Sequence, residues 1–175
     1  MKNLFLTAAA VLMTIFSVNA QQRSTQNSQQ NSQQSNQQNN HQKIVSPHPD
    51  LNIQVKSCQY SKNTVELDLI LTNNGAEETV TFYGTNAGSI AYDNEANQYA
   101  KGSTKITSGA TGGKISATSK IVLPRNVPVK YRVEIDKVDK SATSFKLLKL
   151  YVSSNGRMSL SKNDPIEIYN VSWGK

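Results

Sequence analysis

One cysteine, Cys58, stands among 175 residues. A lone thiol cannot close an internal disulfide, so stability has to come from a packed core. The strand-like context of Cys58 favours burial as a small hydrophobe. Histidine is nearly as scarce, with only His41 and His48. Zinc sites need clustered His and Cys, and a Ser or Cys nucleophile generally needs a base within hydrogen-bonding reach. Both histidines fall in or just after a polar N-terminal stretch, so a His-dependent triad would require that stretch to fold back. No metal, cofactor or catalytic residue is therefore assigned, and the chain is read as a non-enzyme. Basic runs are missing too. Lys+Arg is 19 against Asp+Glu 12, a net +7, but the lysines are scattered. No aromatic–basic motif of an RNA-binding sheet accompanies them. A solvated, lysine-rich surface is expected, and no nucleic-acid partner.

The apolar residues of the first twenty positions, "MKNLFLTAAAVLMTIFSVNA", fall short of a comfortable membrane span, which needs about 20 apolar residues. They fit a signal peptide instead. Lys2 is the charged start, Leu4 to Val18 the apolar stretch, and Val18-Asn19-Ala20 a small-residue cleavage site. No cysteine follows that site, so no lipid anchor and no stable membrane attachment are expected after cleavage. The protein is expected to be exported to the periplasm, the cell surface or the medium. Residues 21–43 hold ten Gln, five Asn and four Ser in 23 positions. With no apolar residue among residues 21–43 to bury, nothing offsets the entropy of ordering the backbone. A disordered Gln/Asn/Ser-rich tether over 21–47 is expected.

From about Asp50 the pattern changes to period-two alternation, the mark of half-buried strands. "LNIQV" alternates Leu51, Ile53 and Val55, and "TVELDLILT" alternates Val65, Leu67, Leu69 and Leu71. "TVTFYG" points Val80 and Phe82 inward, and "VKYRVEI" repeats the scheme through Val129, Tyr131, Val133 and Ile135. "SFKLLKLYV" breaks phase at Leu147-Leu148, which signals a bulge or a strand covered on both faces. About eight or nine short strands joined by polar turns, without a helical stripe, suggest an all-β, antiparallel β-sandwich over 48–175.

The order of "LDLILTNNG", "AYDNEANQY", "LPRNVPVKYRVEID" and "SFKLLKLYV" resembles the immunoglobulin-like, immunoprotective extracellular domain of bacterial lipoproteins and secreted proteins, a domain of unknown function. The resemblance spans most of residues 51–172 and implies an immunoglobulin-like sandwich of two packed sheets. It carries no catalytic residue across, and the chain departs from the lipoprotein members in lacking the anchor cysteine.

Few constellations suggest chemistry. "AYDNEANQY" gathers Asp93, Asn94, Glu95 and Asn97. A helix–loop–helix calcium site started at Asp93 would need Gly at its sixth position and Glu at its twelfth. Gln98 and Thr104 stand there, so a hairpin over Ile90–Lys101 with Asp93, Asn94 and Asn97 as turn residues is expected. "SGATGGKI" lacks the first Gly and the hydroxyl of a phosphate loop and reads as flexible. Glu66 and Asp68 share one strand face without being singled out as an acid pair. The tyrosines read as cross-strand packing, with Trp173 the best candidate for an exposed sugar platform. Gly102 to Ser119 reads as the longest irregular segment, and such loops are usually functional or disordered. Lys105, Ser108, Thr111 and Lys114 are the candidate partner-binding residues, with the Asp93–Asn97 turn beside them. The function expected is an exported, non-catalytic β-sandwich binding or interaction module for an unknown protein or glycan. A carbohydrate-binding domain is the alternative, with a hydrolase behind it.

Overall fold

The computed structural model describes residues 42–161 and 163–174. The expected signal peptide, and the expected tether up to residue 41, lie outside the described residues. Among the described residues eleven strands follow one another: β1 (Lys43–Val45), β2 (Leu51–Ser61), β3 (Thr64–Asn73), β4 (Glu78–Tyr83), β5 (Ile90–Asp93), β6 (Gln98–Tyr99), β7 (Ile106–Ala110), β8 (Thr118–Leu123), β9 (Val129–Ile135), β10 (Ser144–Ser154) and β11 (Ile166–Ser172). The larger, seven-stranded sheet runs β1-β11-β10-β4-β8, with β5 on β10 and β6 on β5; the smaller is β2-β3-β9-β7. The strand ladders are antiparallel. The fold is an antiparallel β-sandwich.

Alternation makes the core. Val65, Leu67, Leu69 and Leu71 of β3 are fully buried, as are Tyr131, Val133 and Ile135 of β9. From the larger sheet Val80, Phe82, Leu148, Leu150, Val152, Ile166 and Ile168 join them in one cluster. Each such side chain contributes roughly 1.5–3 kcal/mol when removed from water. Between β2 and β3, Lys62 and Asn63 both take positive φ, 49° and 64°. That is the geometry of a two-residue type I′ hairpin, whose twist matches the flanking strands.

Two departures from plain alternation shape the larger sheet. The register of β10 shifts between Phe145 and Leu147, so the phase break at Leu147-Leu148 is a bulge. It lets Phe145 and Leu148 both face inward. One edge of β10 is also shared: β5 pairs its first half and β4 its second. Between them the chain leaves the sheet over Gly84–Ser89. Ser89 spans the gap, its hydroxyl donating to the Tyr83 carbonyl and accepting from the Tyr151 amide at 2.9 Å. Gly84 is required there, because a Cβ would overlap the Ile106 carbonyl.

The open side of the sandwich is pinned by Tyr131. Its hydroxyl donates to Ser108 on β7 at 2.8 Å and bonds Ser119 on β8. Burial pushes this phenol up to about 12, with the two serine bonds pulling the other way. At the opposite edge, Lys43–Val45 pairs with β11, Lys43 opposite Tyr169 and Val45 opposite Glu167. The sheet thus extends into the last residues of the expected tether, because Ile44 is apolar enough to pack against the core.

Candidate functional site

The strand "ETVTFY" sorts its side chains by parity. Glu78, Val80 and Phe82 point inward and are buried, whereas Thr79, Thr81 and Tyr83 point out. Antiparallel pairing sets Lys120 and Ser153 on either side of Thr81, and Thr118 and Tyr151 on either side of Tyr83. The result is an open groove of about 540 Å³ across the outer face of β8, β4 and β10, lined by Thr79, Thr81, Tyr83, Thr118, Lys120 and Ser153. The Tyr83 and Ser153 hydroxyls bond at 2.8 Å and fix the ring.

At one end the groove meets Glu77, Glu78, Asn155 and Gly156. Glu78 is 5% exposed. Its carboxylate lies directly on Gly156, where a Cβ would overlap both oxygens. Among the described residues it accepts one hydrogen bond, a long one of 3.4 Å from the Met158 amide to Oε2. A buried carboxylate with so little compensation is costly unless something else donates to it.

The residues singled out from sequence are placed otherwise. The stretch Gly102 to Ser119 is not one loop: Ile106–Ala110 forms β7, paired with β9 from Ile106–Ile135 to Ala110–Tyr131. Ser108 is correspondingly buried, 4% exposed, and bonded to Tyr131. Lys105 and Thr111 flank this strand, six residues or roughly 20 Å of extended chain apart. Lys105 lies against Asp136, which accepts its amide at 2.5 Å. Thr111 and Lys114 belong to a turn at the far end, where the Gly113 amide bonds the Ala110 carbonyl at 2.8 Å. Small hydroxyl residues and a glycine do not prevent a strand when every second residue packs, and Ile106 and Ser108 do. Lys105 and Lys114 are thus separated by a strand rather than carried on one continuous loop.

The hairpin β5–β6 closes at Asp93–Asn97, with Ala91 opposite Tyr99. Asp93, however, is buried rather than a solvated turn residue, at 3% exposed. It accepts from the Glu95 and Asn97 amides at 2.8 and 2.9 Å, the Asn97 side chain at 2.9 Å and the Tyr99 hydroxyl at 2.6 Å. Burial raises its pKa, but these bonds outweigh that and hold the carboxyl below the usual range. Burial and the same Asp93 bond push the Tyr99 phenol up to about 12. Asn94 accepts from the Thr143 and Ser144 amides at 2.8 and 3.0 Å. The turn spends these side chains on its own fold. Trp173 is likewise 5% exposed. It packs edge-on to Phe145 at 4.8 Å and stacks on Tyr60 at 6.3 Å, so it offers no sugar platform. Glu66 and Asp68 are both held by Arg132. Among the described residues no group of three or more His, Cys, Asp or Glu side chains could hold a metal ion.

Glu78, Thr81, Lys120 and Ser153 were not singled out from sequence, and Tyr83 was named only among the aromatics read as cross-strand packing. The signal was present: stepping back two positions from Val80 and Phe82 puts Glu78 on the inward phase, an unusual place for a carboxylate.

No family model matches the chain, and no curated protein matches it. A solved structure of a family 123 glycoside hydrolase from Clostridium perfringens, concerned with glycolipid glycan hydrolysis, is distantly similar. It shares 8% identity over 70% of this chain and 26% of that one, at a TM-score of 0.37. Nothing about activity follows from a likeness that remote.

Proposed function

We propose that this chain is an exported, non-catalytic β-sandwich binding module, akin to the immunoglobulin-like domains of bacterial lipoproteins and secreted proteins. It meets its partner in the groove across β8, β4 and β10. The observation that carries this reading is the groove itself, a concave polar surface lined by Thr81, Tyr83, Lys120 and Ser153 on an outer sheet face. Concave sites with a few convergent polar groups are where small partners and chain-like ligands are held. Among the described residues Lys120 has no ion-pair partner, in contrast to Arg132. Thr81 stands at the middle of the groove, between Lys120 and Ser153, so Thr81→Trp should fill it without touching the core.

The test is to screen the full chain and Thr81→Trp on glycan and protein arrays, with a broad hydrolase substrate panel alongside. Binding that disappears in Thr81→Trp, with no substrate turned over, is the expected result. Turnover of any substrate would overturn the non-catalytic reading, and binding unaffected by Thr81→Trp would move the site elsewhere.

A further inference from the structure

The lining of the groove is specific enough to name a ligand class, an inference that rests on the groove being the binding site. Thr79, Thr81, Thr118 and Ser153 supply hydroxyls to it, and each hydroxyl both donates and accepts. Glu78 adds the complement, carboxyl oxygens that can accept. Its one bond from the protein among the described residues goes to Oε2, which leaves Oε1 to be met from the groove. Tyr83, half-buried and tied through its hydroxyl to Ser153, presents a ring of fixed orientation with an apolar face. Charge narrows the choice. Glu77 and Glu78 sit at one end of the groove and Lys120 on its side, so neither a polyanion nor a polycation meets a matching field along its length.

We propose that the groove takes a neutral oligosaccharide, with Glu78 Oε1 accepting hydrogen bonds from sugar hydroxyls and Tyr83 packing against the face of one sugar ring. The chemistry is that of a polyol. Many neutral hydroxyls on the ligand meet many on the protein, with one carboxylate as the strong acceptor that sets orientation. Gly156 belongs to the same arrangement, because only a residue without Cβ leaves the carboxylate its place.

The experiment is calorimetric titration of the full chain with neutral hexasaccharides (gluco-, xylo- and manno-configured). An oligogalacturonate and an oligolysine peptide serve as charged controls. At least one neutral hexasaccharide should bind. Thr81→Trp should abolish that binding, and Glu78→Gln should weaken it about tenfold or more, the worth of a hydrogen bond to a charged group. Melting curves show whether Glu78→Gln folds; if it does not, Thr81→Trp and Tyr83→Ala, both on the outer face, carry the test. No binding of any neutral sugar would overturn the proposal, as would tighter binding of either charged control. Oligolysine binding that is lost in Thr81→Trp would overturn the sugar assignment and leave the groove as the binding site. Sugar binding that survives Thr81→Trp would overturn both.

Discussion

On the outer face of the smaller sheet, Arg132 reaches Glu66 at 2.9 Å and Asp68 at 2.8 Å, with a second bond to Asp68 at 3.2 Å. Ser57 adds its hydroxyl to Asp68 at 3.1 Å. The bonds from Arg132 lead burial in setting the Asp68 carboxyl below the usual range. In the groove on the larger sheet, Tyr83 and Ser153 bond through their hydroxyls, and Glu78 at its end accepts one long amide contact among the described residues. Both faces come from the same alternation of side chains. The larger sheet answers charges in the same way away from the groove, where Lys149 reaches Glu167 at 2.7 Å; within the groove, Lys120 has no ion-pair partner among the described residues. Under the proposed function, polar groups that stabilise and polar groups that bind differ in what they already touch.

The comparison can be broken first at the most fully satisfied carboxylate. Asp93→Ala would leave the Glu95 and Asn97 amides and the Tyr99 hydroxyl without their acceptor, and should cost roughly 2–4 kcal/mol. Urea denaturation would measure it, and a loss near zero would mean that the turn tolerates water in place of the carboxylate. Next comes Gly156→Ala, which forces the Glu78 carboxylate to move and should cost roughly 1–3 kcal/mol, as overpacking does. In the double variant with Glu78→Ala the costs should be clearly less than additive; strict additivity would separate the two residues. Arg132→Ala is smaller, about 1 kcal/mol or less, because that pair is partly solvated. It should leave ligand binding untouched.

Acid sharpens the same contrast. Asp68 and Asp93 both have lowered pKa values in the folded protein. Their contribution is complete above the ordinary carboxylate range near pH 4 and is lost as pH falls through it toward the folded values. The urea midpoint should decline in that window, and less steeply in Asp93→Asn. An equal decline in both proteins would assign the acid sensitivity to other groups.

Much of the fold was legible from alternation. β2, β3, β4 and β9 announce themselves because Leu, Val, Ile and Phe recur every second residue, and their inward faces are the core. β7 was not, because "ITSGA" reads as loop chemistry; only the placement of Ser108 under Tyr131 and the packing of Ile106 make it a strand. Asp93 was read correctly as a turn residue by type but not by burial, since sequence does not say that Tyr99 folds over it. Trp173 failed similarly: near a C-terminus it looks exposed, yet Phe145 and Tyr60 enclose it. The groove was the least legible feature. It is assembled from three strands far apart in the chain, and the one local sign, a glutamate on an inward phase, matters only once Gly156 is seen beneath it.

The difference between the two faces is tested most directly by amide-resolved NMR of the full chain, titrated with the neutral hexasaccharide panel. Signals of Glu78–Tyr83, Thr118–Leu123 and residues 151–156 should shift while those of Thr64–Asn73 and Val129–Ile135 stay in place. Shifts concentrated on the Arg132 face, or none on β4, β8 and β10, would contradict the assignment of binding to the larger sheet.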